Sequence, residues 1–221
     1  MIGYLKVSIV TELLCLIAAV VYLRKDRMPW LAVVFYLPVV VLTETAGIYL
    51  RQHHHANQWV YNLFMPIEAI FHTVFYNYII KSYYNFKPAA IAGLVVIGSL
   101  YIGELCIHGL KVYCTLSVTV MSVLYIIYGL IYYYLLIQDE KFVRLRVHAP
   151  FWWVTGTIMF YFGSSACDLF FLLVKFDINT EFPIRRYIYY GLIIILYASW
   201  IYSFRCRYRY NKPLYSSSSS R

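Results

Sequence analysis

Charge is what this sequence has least of: only 13% of its 221 residues are Asp, Glu, Lys or Arg, about half the share of an ordinary soluble domain. A chain of this size still leaves about 30% of its surface in contact with solvent. With 62% of the residues hydrophobic, that solvent cannot be water over most of the surface. Acids are scarcer than bases, ten against 19 Lys and Arg. The resulting net charge of +9 is dispersed among short loops. It forms no basic patch interleaved with aromatic residues, which argues against nucleic acid as a partner. Five cysteines are too few and too scattered for a disulfide framework. There is no Gly-rich phosphate loop, and Ser164-Ser165 lacks the setting of a nucleophile elbow.

What is present is a succession of apolar runs. A hydrocarbon core about 30 Å thick needs about 20 helical residues. Seven segments approach that length: Val7–Leu23, Trp30–Leu50, Trp59–Ile80, Pro88–His108, Val112–Ile137, Pro150–Val174 and Tyr187–Phe204. The reading is an all-α polytopic membrane protein, a bundle of seven transmembrane helices over residues 1–204 with the lipid bilayer as its main partner. Short connections predict antiparallel neighbours and leave no room for a second domain. No internal repeat supports an inverted-repeat transporter. The first span carries Glu12 and ends in Arg24-Lys25-Asp26-Arg27, so it is expected to be retained, not cleaved as a signal. Of the 25 Tyr, several (Tyr83, Tyr84, Tyr132 to Tyr134, Tyr187, Tyr189 and Tyr190) fall near span ends, where amphipathic rings collect.

The basic residues set the orientation. Thirteen of the 19 Lys and Arg lie on the side of Arg24, Lys81, Lys141 and Arg205. The other six, including Arg51, Lys111 and Arg185, lie opposite. Positive loops stay inside, so the amino terminus is expected outside and the carboxy terminus in the cytoplasm. Residues 205–221 read as a basic, Ser-rich cytoplasmic tail, disordered through Ser216–Ser220. Cys106 and Cys114 flank the outer loop between the fourth and fifth spans, either as a disulfide or as two thiols. Cys206 in the tail is a conceivable lipidation site.

Five acids fall inside the spans: Glu12, Glu44, Glu68, Glu104 and Asp168. Left charged and unpaired, they would cost on the order of 12–18 kcal/mol on the mild insertion scale, more than a typical domain's whole stability. Counted at about 1.5 Å per residue, all five reach the outer half of the membrane. No Lys or Arg lies within the spans to balance them, which leaves His72 and His108. The acids must then be protonated, hydrated, or neutralised by a bound proton, metal ion or small cationic ligand. Glu68–His72 and Glu104–His108 each place carboxylate and imidazole four residues apart, on one helix face. They are therefore candidate ligands, with Asp168, for a divalent metal; local Glu–His pairing is the alternative. Thr157, Tyr161, Ser164 and Asp168 form one polar stripe on the sixth span, and Ser8, Thr11, Glu12 and Cys15 form another on the first. Pro66 cannot donate to the carbonyl of Asn62, leaving an acceptor near the acids. Pro38 should do likewise in the second span. The run His53-His54-His55 is either a metal- or pH-sensitive mouth or a solvated loop.

The seventh span lacks a Lys for a retinal Schiff base. It also lacks the paired His on which the zinc site of ceramidase-like seven-helix hydrolases draws. The stretch Thr43-Glu44-Thr45-Ala46-Gly47, with Asn62 and Pro66-Ile67-Glu68, resembles uncharacterised seven-helix integral membrane proteins common in Bacteroidota. That resemblance covers the second and third spans. It implies fold and compartment, a bacterial inner membrane, and no activity. Three functions stay open. The first is a binding protein, sensor or small permease whose outward acidic site is formed by Glu12, Glu44, Asn62, Glu68, Glu104, Tyr161, Ser164 and Asp168. The second is a metal-dependent intramembrane hydrolase using Glu68, His72, Glu104, His108 and Asp168. The third is a structural subunit, beside a membrane protein partner, whose acids only join helices.

Overall fold

A computed structural model describes residues 2–139, 144–173 and 178–211. Among these, all regular structure is helical: α1 (Ile2–Leu23), α2 (Trp30–Gln52), α3 (Gln58–Ile80), α4 (Lys87–His108), α5 (Thr115–Gln138), α6 (Ala149–Leu173) and α7 (Ile178–Asn211), with one 3₁₀ turn at Leu145–Val147. Five of these, α2 to α5 and the Ile184–Tyr210 stretch of α7, are long and apolar enough to cross a membrane, and α1 offers a shorter apolar run, Val7–Leu23. The 25 residues of α6 are diluted by Thr, Gly, Ser, Trp and Asp168 and fall outside that group. Large apolar side chains face outward along the helices, among them Leu42, Ile107 and Ile137, the last 84% exposed. In water such a surface would aggregate; in lipid it is the expected boundary.

Local chemistry sets the helix ends. The His53–His55 run is a Schellman stop: His54 takes φ +58°, while His54 N–H and His55 N–H donate to the carbonyls of Arg51 and Leu50 at 3.3 and 2.9 Å. That pattern satisfies carbonyls orphaned at a helix terminus, so the triplet works as a cap. His53 is engaged locally as well, its Nδ1 lying 2.9 Å from the Tyr49 carbonyl. Gly109, at φ +68° and ψ −174°, closes α4 in an extended positive-φ conformation open essentially to glycine alone.

The helices run up and down around a closed ring in which α1 packs on α2 and α7, α5 on α3 and α6, and α6 on α7, whereas the main contacts of α4 are with α3 and α5 alone. Its peripheral place is visible in its burial, with Ala90, Gly93 and Ile97 the only residues of α4 fully covered. The tight α6–α7 seam depends on small residues: a Cβ added at Gly156 would stand 2.7 Å from Ser199 Cβ and 3.1 Å from the Leu196 carbonyl oxygen. Small residues let helices approach in this way where lipid removes the hydrophobic drive.

At the basic end, α7 runs further than the sequence suggested. Residues 205–211, expected in a disordered tail, are helical. The reason is tertiary. Arg207 grips Asp26 of the α1–α2 turn through Nε and a terminal nitrogen at 2.8 and 3.1 Å, and Tyr208 meets Tyr22. The Ser216–Ser220 run lies outside the described residues. Cys106 and Cys114 are both free, one exposed and one buried.

Candidate functional site

Three of the five acids come together. Glu12 on α1, Glu44 on α2 and Glu68 on α3 are eight to ten residues from the same end of their helices, a depth of about 12–15 Å. Glu44 is within electrostatic range of both Glu12 and Glu68. Glu12 is 2% exposed. Its Oε1 accepts from Ser8 Oγ at 2.8 Å, and its Oε2 is buried without a hydrogen-bond partner among the described residues. Glu44 accepts a long bond, 3.4 Å, from the Tyr61 hydroxyl. Glu68 accepts a short bond from Tyr161 of α6. The nearest described cation is Arg51, two turns outward of Glu44 on α2, exposed and within its range.

Tyrosines complete the cluster. Tyr197 of α7 lies within range of Glu12, Glu44 and Glu68 together, and Tyr36 of α2 reaches Glu12 and Glu68. The Tyr125 hydroxyl of α5 donates to the Glu68 carbonyl at 3.3 Å. Sequence reasoning found Tyr161 and missed the other three, because the abundance of Tyr was read as interfacial. The available signal was their mid-span position, where a ring with a hydroxyl needs an internal partner.

Beneath the acids the bundle is closed by rings. His72, one turn inward of Glu68, is 3% exposed. Tyr36, Phe71, Tyr125, Trp153, Tyr161 and Trp200 surround it with centroids 4.9–5.9 Å away. Trp153 and Trp200 stack at 5.5 Å, and the Trp200 indole donates to Thr157 Oγ1 at 3.2 Å. This aromatic floor separates the acid layer from the basic end. His72 Nδ1 lies 3.1 Å from the Glu68 carbonyl oxygen. A carbonyl only accepts, so that nitrogen carries the proton and donates. The expected carboxylate–imidazole pair is thus replaced by a bond to the backbone.

The other two acids and Asn62 are spent on structure, which corrects the single five-acid layer. Glu104 caps α5 from α4: it accepts the N–H groups of Leu116 and Ser117 at 3.0 and 2.8 Å, and a short bond from Ser117 Oγ. Cys114 at the N-cap makes no side-chain cap bond, so Glu104 supplies from a neighbouring helix what the cap residue lacks. Asp168 pairs with Arg185 at 2.6 Å and accepts from Tyr189 at 2.7 Å; α7 begins early enough to bring a cation that the sequence spans had excluded. Asn62, 1% exposed, donates to the carbonyls of Leu110 and Val112 at 3.0 and 2.7 Å and accepts from Cys114 N–H at 3.1 Å. It clamps the α4–α5 loop. The Asn62 carbonyl freed by Pro66 is taken by the Tyr101 hydroxyl at 3.1 Å. Ser164 turns back to the Tyr161 carbonyl.

No group of three or more His, Cys, Asp or Glu able to hold a metal ion occurs among the described residues. Glu68 and His72 lie in the bundle's interior, while Glu104 and an exposed His108 are on peripheral α4. The five residues suggested for a hydrolase metal therefore do not converge. No family model, curated protein or solved structure matches this chain.

Proposed function

We propose that the protein binds a proton or a small cation at the Glu12–Glu44–Glu68 cluster, entered from the amino-terminal side of a seven-span bundle with that side outside. The observation that carries this reading is the buried, unpartnered Glu12 Oε2, with Glu44 within electrostatic range of Glu12 and of Glu68. Like charges within electrostatic range of one another repel more strongly in a medium of low dielectric than in water, and an exposed Arg51 relieves little of that. A shared proton or an entering cation removes the repulsion and gives Oε2 a partner. Glu44 and Glu68 keep partial exposure, and the aromatic floor below them favours access from one side only. Such a site suits a sensor or the substrate position of a small permease. The sequence resemblance and the charge asymmetry favour a bacterial inner membrane with the carboxy terminus inside.

The test is titration of purified protein in nanodiscs. Proton uptake would be followed through the carboxylic C=O infrared band, and binding of sodium, potassium and guanidinium by calorimetry. Glu12→Gln, Glu44→Gln and Glu68→Gln should each keep the fold and weaken binding by at least about tenfold, the equivalent of about 1.4 kcal/mol. Wild-type titration in all three variants would defeat the proposal. A second reading, a structural subunit, draws on Glu104 and Asp168, whose carboxylates join helices; it predicts that the Gln variants change only thermal stability.

A further inference from the structure

At the opposite, basic end, a cavity of about 550 Å³ opens between α7 and the 3₁₀ turn before α6, lined by Arg146, Arg205 and Arg209 with Tyr202 and Cys206. Tyr202, Arg205, Cys206 and Arg209 are at positions i, i+3, i+4 and i+7 of α7, one face of the helix. The facing wall is pinned. The Arg146 carbonyl accepts from the Trp152 indole at 3.2 Å, the Tyr202 hydroxyl at 3.1 Å and the Cys206 thiol at 3.8 Å. Three donors on one oxygen hold Arg146 opposite Arg205 and Arg209, and Ser203 Oγ ties the same turn to α6 through the Ala149 carbonyl at 2.7 Å.

No carboxylate lines this cavity among the described residues. The contrast with Arg207 is informative: between the two cavity arginines in sequence but on another face, it has Asp26 as a bidentate partner. The fold supplies Asp26 for Arg207 and brings Arg205, Arg209 and Arg146 together around a space large enough for a polar headgroup. Exposed Val147 and Tyr210 complete its lining, so the cavity meets the apolar surface of the bundle.

We propose that this cavity binds a phosphate group, carried by an anionic phospholipid of the adjacent leaflet or by a soluble phosphate. Guanidinium forks match phosphate oxygens bidentately, and basic pockets at the ends of membrane helices take phospholipid headgroups in this way. This site is independent of the acid cluster and does not rest on its function.

The experiment titrates full-length protein in zwitterionic detergent with phosphatidylglycerol in one arm and inorganic phosphate in the other, with bound adducts counted by native mass spectrometry. Saturable one-to-one binding is expected, weakened about 30-fold in R205Q/R209Q and only partly restored in R205K/R209K, which keeps the charge but not the fork. R24Q/K25Q removes two exposed charges from the same end of the bundle and should stay within about threefold of wild type. Saturation by the lipid alone would identify a headgroup site, and saturation by inorganic phosphate a soluble one. Thermal melts of each variant keep misfolding separate from lost binding. Absence of saturable binding in both arms, or equal losses in R205Q/R209Q and R24Q/K25Q, would overturn the proposal and leave only general attraction to a charged surface.

Discussion

Replacing Glu104 by Gln separates a structural acid from a binding one. The carboxylate takes three hydrogen bonds at the start of α5, from two backbone N–H groups and Ser117 Oγ. Hydrogen bonds to a charged group contribute about 1.5–3 kcal/mol each. The lower end applies to a half-exposed group, and a negative charge at a helix amino terminus adds about 0.3–1 kcal/mol. An amide can set its one accepting oxygen at the Oε2 position, keeping both Ser117 bonds, and then turns its NH₂ toward the Leu116 N–H, losing one bond and the charge that strengthened the other two. The expected cost is about 2 kcal/mol, or a fall in Tm of about 4–8 °C at 2–4 °C per kcal/mol for a chain of this size. Differential scanning fluorimetry in detergent would read it. Ser117→Ala removes one bond and should cost about 1–1.5 kcal/mol. The double variant should fall short of the sum, because both changes weaken the same Glu104–Ser117 contact. Proton or cation binding at the acid cluster should be unchanged throughout. A Tm within about 1 °C of wild type, or lost binding at an unchanged Tm, would refute the capping role.

Gly47→Ala tests the cluster without altering charge. The new Cβ would stand 2.4 Å from the Tyr61 hydroxyl, the movable end of a side chain, so Tyr61 should swing away from Glu44; binding should weaken about fivefold with little change in Tm. Gly156→Ala meets backbone instead and should destabilise the α6–α7 seam by about 1–3 kcal/mol. Gly98→Ala, with nothing within 4 Å, should be neutral or stabilising by up to about 1 kcal/mol. Reporter fusions after Arg27 and after Arg205 should both read as cytoplasmic; opposite locations would exclude the odd-numbered topology.

The apolar character of the chain and the approximate position of each helical segment, though not the extent of α7, were legible from the chain alone, because hydropathy is a sum of single-residue terms over a window of about 20 residues. So was the conflict posed by five acids within the expected spans, since the cost of each is a property of that residue in hydrocarbon. How each acid resolves the conflict depends on its neighbours, and neighbours belong to the packing. Glu104 and Glu68 are equivalent in sequence, each with a His four residues on. Yet α4 lies at the edge of the ring, where its acid meets the first N–H groups of α5, while α3 faces the interior and brings its acid toward Glu44 and Tyr161. Asp168 found Arg185 only because α7 begins above the expected span. The carbonyl released by Pro66 was foreseeable from proline chemistry, but its partner, Tyr101, sits 39 residues away on another helix. Local pattern identifies a group that needs a partner; only the arrangement of helices decides which partner arrives, because that contact joins residues far apart in the chain.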